Sequence, residues 1–110
     1  MPASTSAEKL DATLVALADP TRRAILLRLA LGEARVTDLA APFDISLNSV
    51  SKHIRILERA KLVKRRRAGR EHFLSRNAAP LDEAAAWIAA LREHWNDRID
   101  RLEKALEEEP

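Results

Sequence analysis

Residues 44–57 read DISLNSVSKHIRIL, and two periodicities run through them. Ile45, Leu47, Val50, Ile54 and Leu57 fall on one side of a helix, the spacing of a core-facing stripe. Asn48, Lys52, Arg55 and Arg59 recur at steps of four, three and four, a single polar stripe on the other side. Glu58 is the only acid near it, and Ser49 and Ser51 flank it. A solvated outer face usually mixes signs. This one holds out an amide and three cations in a row, the make-up of a helix that lies against something anionic.

The flanking segments give that helix its setting. Upstream, VTDLAAPFD at 36–44 predicts a short helix that Pro42 limits to within about a turn of that point. A tight turn around Phe43–Ile45 follows, with Ser46 placed to cap the next helix. Short helix, tight turn, amphipathic helix is the helix-turn-helix pattern. Further upstream, ADPTRRAILLRLAL at 18–31 opens another helix, with Asp19 as cap and Pro20 at the first helical position. Its residues 24–31 are apolar nearly all round apart from Arg28, which predicts a buried central helix ended by Gly32. Leu10, Leu14 and Leu17 keep helical spacing from Glu8 to about Ala18.

Downstream, KLVKRRRAGREHFLSRN at 61–77 changes period. The runs 62–66 and 71–75 on either side of Gly69 predict a hairpin with its tip at 67–70. From Pro80 to about Leu106 one long helix carries Ile88, Leu91, Trp95, Ile99, Leu102 and Leu106 at three- and four-residue steps. At about 1.5 Å per residue it runs on the order of 40 Å, more than a domain this small can cover. The surplus stripe is expected to meet a second copy of the chain. The fold class is therefore mainly α with a small β-hairpin, a winged helix-turn-helix with flanking helices. The expected organisation is an N-terminal tail at 1–7, a DNA-binding domain at 8–78 and a C-terminal dimerisation helix at 79–110.

Composition narrows the function. At 110 residues, 46% hydrophobic and 33% charged, the chain is one globular domain without room for a large enzyme cleft. No apolar run approaches a membrane span, the start MPASTSAEKL is not expected to be a secretory leader, and there are no cysteines. These features fit a cytoplasmic protein. The net charge of +2 hides a strong asymmetry. Residues 46–76 hold ten bases against Glu58 and Glu71, whereas residues 77–110 hold four bases against nine acids. A basic run in the wing could serve as a solvated strand edge, but after a helix-turn-helix it reads as a nucleic-acid surface.

LADPTRRAILLRLA, VTDLA, SLNSVSKHIRILERAKLV and RRRAGREHFL together resemble the ArsR-type bacterial winged-helix repressors, in register from about residue 14 to 76. The resemblance implies a homodimer on a palindromic operator of duplex DNA, often in its own promoter. It assigns Leu47, Asn48, Ser49, Ser51, Lys52 and Arg55 to the major groove, and Arg66, Arg67 and Arg70 to the wing. Arg59, near the far end of the helix, is expected on phosphate. The first and last helices would form the dimer contact, through Leu10 and Leu14 with the long-helix stripe. Trp87 and Trp95 are expected to fill that contact rather than line a ligand pocket.

The chain departs from the family pattern at Lys61 and Asp44, where relatives carry glycine, so both corners are open to a different closure. The family's thiolate metal site is missing: its stretch reads EARVTDL here, with Arg35 and Thr37 at the thiol positions. On the last helix His94 has only Asp97 and, further back, Glu83 for company, too few ligands for zinc. No second candidate ligand lies at helical spacing on the face of His53, and His72, on the hairpin, has equally poor company. No metal, cofactor or catalytic frame is expected, and control would come from abundance, a partner protein or an organic effector. The competing reading is a winged-helix interaction module that does not read DNA. Ten bases within 31 residues argue for the DNA-binding repressor.

Overall fold

In the computed structural model, which describes residues 5–108, helix starts are set by side-chain caps. Thr5 Oγ1 accepts from the Glu8 N–H at 3.1 Å, Asp19 Oδ2 from the Arg22 N–H at 3.0 Å, and Ser46 Oγ from the Ser49 N–H at 3.1 Å. Each satisfies an orphan donor of a first turn. The helices that follow are α1 (Ser6–Leu17), α2 (Pro20–Leu29) and α4 (Leu47–Arg59), with the short α3 (Val36–Ala40) between the last two. α1 starts two residues before the expected Glu8 because Thr5, not a later residue, supplies the cap. Of the expected tail, residues 1–4 lie outside the described residues.

Two strands, β2 (Val63–Ala68) and β3 (Glu71–Arg76), form the wing, and α5 (Ala79–Glu107) closes the chain. Ala68 pairs Glu71, so the loop is the two residues Gly69–Arg70, with Gly69 at φ 63°. Positive φ at the first loop position suits the twist of the flanking strands. A third strand, β1 (Ala34–Arg35), is absent from the sequence reading; it pairs antiparallel with β3, giving the order β1-β3-β2. Two residues carry no periodicity, and their pairing to Phe73 and Leu74 is wholly non-local.

Ile25 and Leu29 of α2, Leu39 of α3, Val50, Ile54 and Leu57 of α4, Leu62 at the corner after it and Leu74 of the wing are almost fully buried in one core. Two expectations about it are corrected. Ile45 and Leu47 are 42% and 53% exposed, so the core stripe of α4 begins at Val50. α2 is no all-round buried helix: it ends at Leu29 rather than at Gly32, Leu27 is 73% exposed because the core reaches only the face carrying Ile25 and Leu29, and Leu31, in the turn beyond, is 84% exposed.

The two atypical corners resolve differently. Lys61 takes the left-handed conformation at φ 63°, and the helix closes there as it would with glycine. Asp44 does not, because Lys61 is the only non-glycine residue at positive φ among those described. No described helix is long and apolar enough to cross a membrane.

Candidate nucleic-acid interface

α4 presents its polar stripe because its opposite face is locked. Val50, Ile54 and Leu57 have no exposed surface, which fixes the helix rotation. Asn48, Lys52, Arg55 and Arg59 then stand exposed on one side. Ser49 and Ser51 are half-buried at its edges, and the Ser46 hydroxyl lies 3.0 Å from Ser49 Oγ, drawing Ser49 into the cap. Leu47, exposed at the first turn, sits beside the stripe rather than in the core. Among the described residues none of Lys52, Arg55 and Arg59 is held by a carboxylate.

The wing arginines are treated otherwise. Arg65 forms a two-bonded fork on Glu58 of α4, with Nη2–Oε1 at 2.7 Å and Nε–Oε2 at 3.3 Å. Arg66 forms the same fork on Glu33, at 2.6 and 3.2 Å, and its guanidinium lies 4.6 Å over the Phe73 ring. The hydrogen bond from Arg66 and its charge hold the Glu33 carboxyl below the usual carboxylate range. Arg67 donates from Nε to the Gly69 carbonyl at 3.0 Å, which folds it back over the loop. Arg70, in the loop, and Lys64 have no carboxylate partner among the described residues. Of the three expected wing contacts, Arg67 and Arg70 are available at the tip, while Arg66 is already paired.

Arg35 of β1, just before α3, joins the surface; it is bonded to Asp38 Oδ2 at 3.0 Å and Glu71 Oε1 at 3.1 Å. Those bonds raise its pKa, Asp38 first and Glu71 second. A cleft of about 280 Å³ lies between α3, the start of α4 and the wing, touching Thr37, Leu47, Ser51, Arg70 and His72.

Sequence reasoning missed a second network. Arg22 Nη1 lies 3.2 Å from His53 Nδ1, and Asp19 Oδ2 lies 3.6 Å from the same nitrogen. The imidazole thus ties α4 to the joint between α1 and α2. Glu33 and Glu58 also went unassigned. Glu58 was visible as the lone acid beside the stripe, but its partner lies seven residues on, across a corner. Glu33 meets an arginine 33 residues away, a pairing no local spacing signals.

The expected dimer residues lie along α1 and α5. Leu10 and Leu91 are half-buried, while Leu14, Ile88, Trp95, Ile99, Leu102 and Leu106 are exposed. α5 packs on α1 near its start, where Ala84 is buried and Leu81 joins the core. Beyond that it runs free of its own domain.

A family model for a helix-turn-helix domain matches residues 17–66. The transcriptional repressor SdpR of Bacillus subtilis is 37% identical over 73 residues, 66% of this chain and 81% of that protein. The HTH-type transcriptional regulator Rv2034 of Mycobacterium tuberculosis is 43% identical over 82 residues, 74% of this chain and 70% of that protein. A crystal structure of an ArsR family transcriptional regulator superposes with a TM-score of 0.79 at 39% identity, covering 86% of this chain and 97% of that one. With likeness of this depth over most of its length, the chain belongs to the ArsR family of winged helix-turn-helix transcriptional regulators.

Proposed function

We propose that the protein acts in the cytoplasm as a homodimeric repressor that binds a two-fold symmetric operator in duplex DNA, α4 in the major groove and the wing tip against the neighbouring backbone. The observation that carries this reading is the contrast in ion pairing. Arg35, Arg65 and Arg66 are all held by carboxylates, whereas Lys52, Arg55 and Arg59 stand exposed without one among the described residues. Keeping three neighbouring cations unpaired favours a polyanion on that face.

The roles divide by reach. Asn48 near the helix start is suited to a base edge, since an amide can bond adenine in two places. Lys52 and Arg55 suit guanine or phosphate, and Arg59 suits phosphate. Leu47, Ser49 and Ser51 line the same groove face, Leu47 against a thymine methyl. Arg67 and Arg70 bring the wing tip to the backbone. Two copies joined through α1 and α5 would place two reading helices on half-sites about 34 Å apart.

The test is selection of bound sequences from a random duplex pool, followed by titration of the recovered site. The reading expects an inverted repeat bound far more tightly than random duplex. Recovery of no preferred sequence would favour an interaction module instead.

A further inference from the structure

Of the acids inside the cationic surface, Glu58 and Glu33 each hold a wing arginine, and neither is explained by the fold. Glu58 lies in the last turn of α4, where the helix dipole disfavours a carboxylate. Glu33 lies outside every helix and strand. Neither caps a helix or sits in the core, and exposed ion pairs add little to stability. Each would repel phosphate. Yet each is placed to hold one wing arginine by two bonds: Glu58 on Arg65, at 2.7 and 3.3 Å, and Glu33 on Arg66, at 2.6 and 3.2 Å.

We infer that Glu58 and Glu33 are specificity determinants, which neutralise Arg65 and Arg66 and so hold down the sequence-independent pull of the wing on DNA. The inference rests on the DNA-reading function proposed above. Each free cation that neutralises a phosphate strengthens binding to any sequence. A regulator is limited by the ratio of operator to competing affinity rather than by affinity itself. On the operator, base contacts from α4 fix where the wing lies, so a freed arginine gains only if a phosphate already stands within its reach. On random duplex the protein can shift until the arginine finds one. Freed wing charge therefore favours the wrong sites more than the right one. The two forks leave Lys64, Arg67, Arg70 and Arg76 as the wing cations without a carboxylate partner among the described residues.

The experiment compares wild type, Glu58→Gln and Glu33→Gln on two probes across a range of salt. One probe is the site recovered by selection with wild type, and the other is a random-sequence duplex of equal length. Each variant should bind random duplex roughly three- to tenfold more tightly at low salt, with a salt slope steeper by about one. Operator affinity should change by less than about twofold, so selectivity falls. Replacing Arg65 with glutamine in the Glu58→Gln background should restore the wild-type value for random duplex. Glu107→Gln, at the far end of α5, adds the same unit of charge and should change neither probe.

Glu33→Gln touches no helix, so its outcome stands even where Glu58→Gln loosens α4. Unchanged selectivity in both glutamine variants, from a wild type that is itself selective, overturns this inference alone. An equal gain from Glu107→Gln overturns it too, by reducing the effect to net charge. A wild type that does not distinguish the two probes overturns the DNA-reading function beneath it.

Discussion

Lys61 holds φ at 63° because the corner after α4 demands it of whatever residue stands there. The Leu62 N–H reaches the Leu57 carbonyl at 3.0 Å, and the Lys61 N–H reaches that of Glu58 at 3.0 Å, both bonds of a Schellman closure. Leu57 and Leu62 are both fully buried in the core beneath it, and Asn77 Nδ2 donates to the Lys61 carbonyl at 2.8 Å. With four partners fixing the geometry, lysine bears the left-handed cost. Lys61→Gly should raise stability by about 0.5–1 kcal/mol, seen as a higher urea midpoint at unchanged slope, while Lys61→Ala should not. A glycine variant no more stable than wild type would mean the corner is unstrained. Within the proposed DNA surface, Asn48→Ala or Arg55→Ala should cost about 1–3 kcal/mol at the contacted position and relax its sequence preference. Arg70→Ala should weaken all sequences alike and make the salt slope shallower by about one. Competition binding against single-base operator variants separates the two, and equal losses of preference would refute the division. These stripe residues were legible because their spacing is local and helical. The pairing of Arg66 with Glu33 was not, because it is made by strand register across the sheet.

At the scale of elements, the stretch DPTRR is a joint rather than a helix start alone. Asp19 caps α2, while Arg22 donates to the Ala16 and Val15 carbonyls at 2.8 and 3.0 Å and Arg23 to that of Leu17 at 2.8 Å. The orphan carbonyls at the end of α1 are thereby satisfied by side chains from α2. Asp19 is the acid-sensitive member. Its pKa is lowered, chiefly by the Arg22 N–H, against an opposing effect of burial, with the charges of His53 and Arg22 adding to the lowering. A depressed carboxylate contributes stability above its unfolded value near 3.8, and that contribution is lost as pH falls through the lower folded value. Asp19→Ala should therefore cost about 0.5–2 kcal/mol at neutral pH, and the gap from wild type should close below about pH 4. Denaturant melts at several pH values check this; a gap independent of pH would place the loss elsewhere. The caps at Asp19 and Ser46 are single-residue signals and gave both helix starts. The apolar run of α2 misled, because composition cannot say that the core reaches only one face, leaving Leu27 and Leu31 outside.

The whole molecule measures 74 × 37 × 22 Å, and α5 carries an apolar stripe that outruns the domain it starts on. Ile99, Leu102 and Leu106 are each more than half exposed in a single copy, at 53%, 61% and 65%. A second copy is the occupant that the proposed function supplies. Ile99→Asp or Leu102→Asp should shift the protein from dimer to monomer in sedimentation at micromolar concentration and abolish operator binding. A wild type that sediments as a monomer would sink that. Release from DNA requires a ligand that binds the free and bound forms with different affinity, and a metal needs a site with enough ligands to be held selectively. Arg35, standing at one thiol position of the metal-sensing pattern, is locked between Asp38 and Glu71 and would repel a cation. On α5 His94 shares a shallow surface with Asp97, but Asp97 is bonded to Arg101 at 3.1 Å. Operator affinity should therefore stay within about twofold on adding zinc, nickel, cadmium or arsenite, or a chelator. The check is a titration of labelled operator with each ion. A tenfold loss, about 1.4 kcal/mol of coupling, that vanished in His94→Ala would place a metal switch on α5 after all.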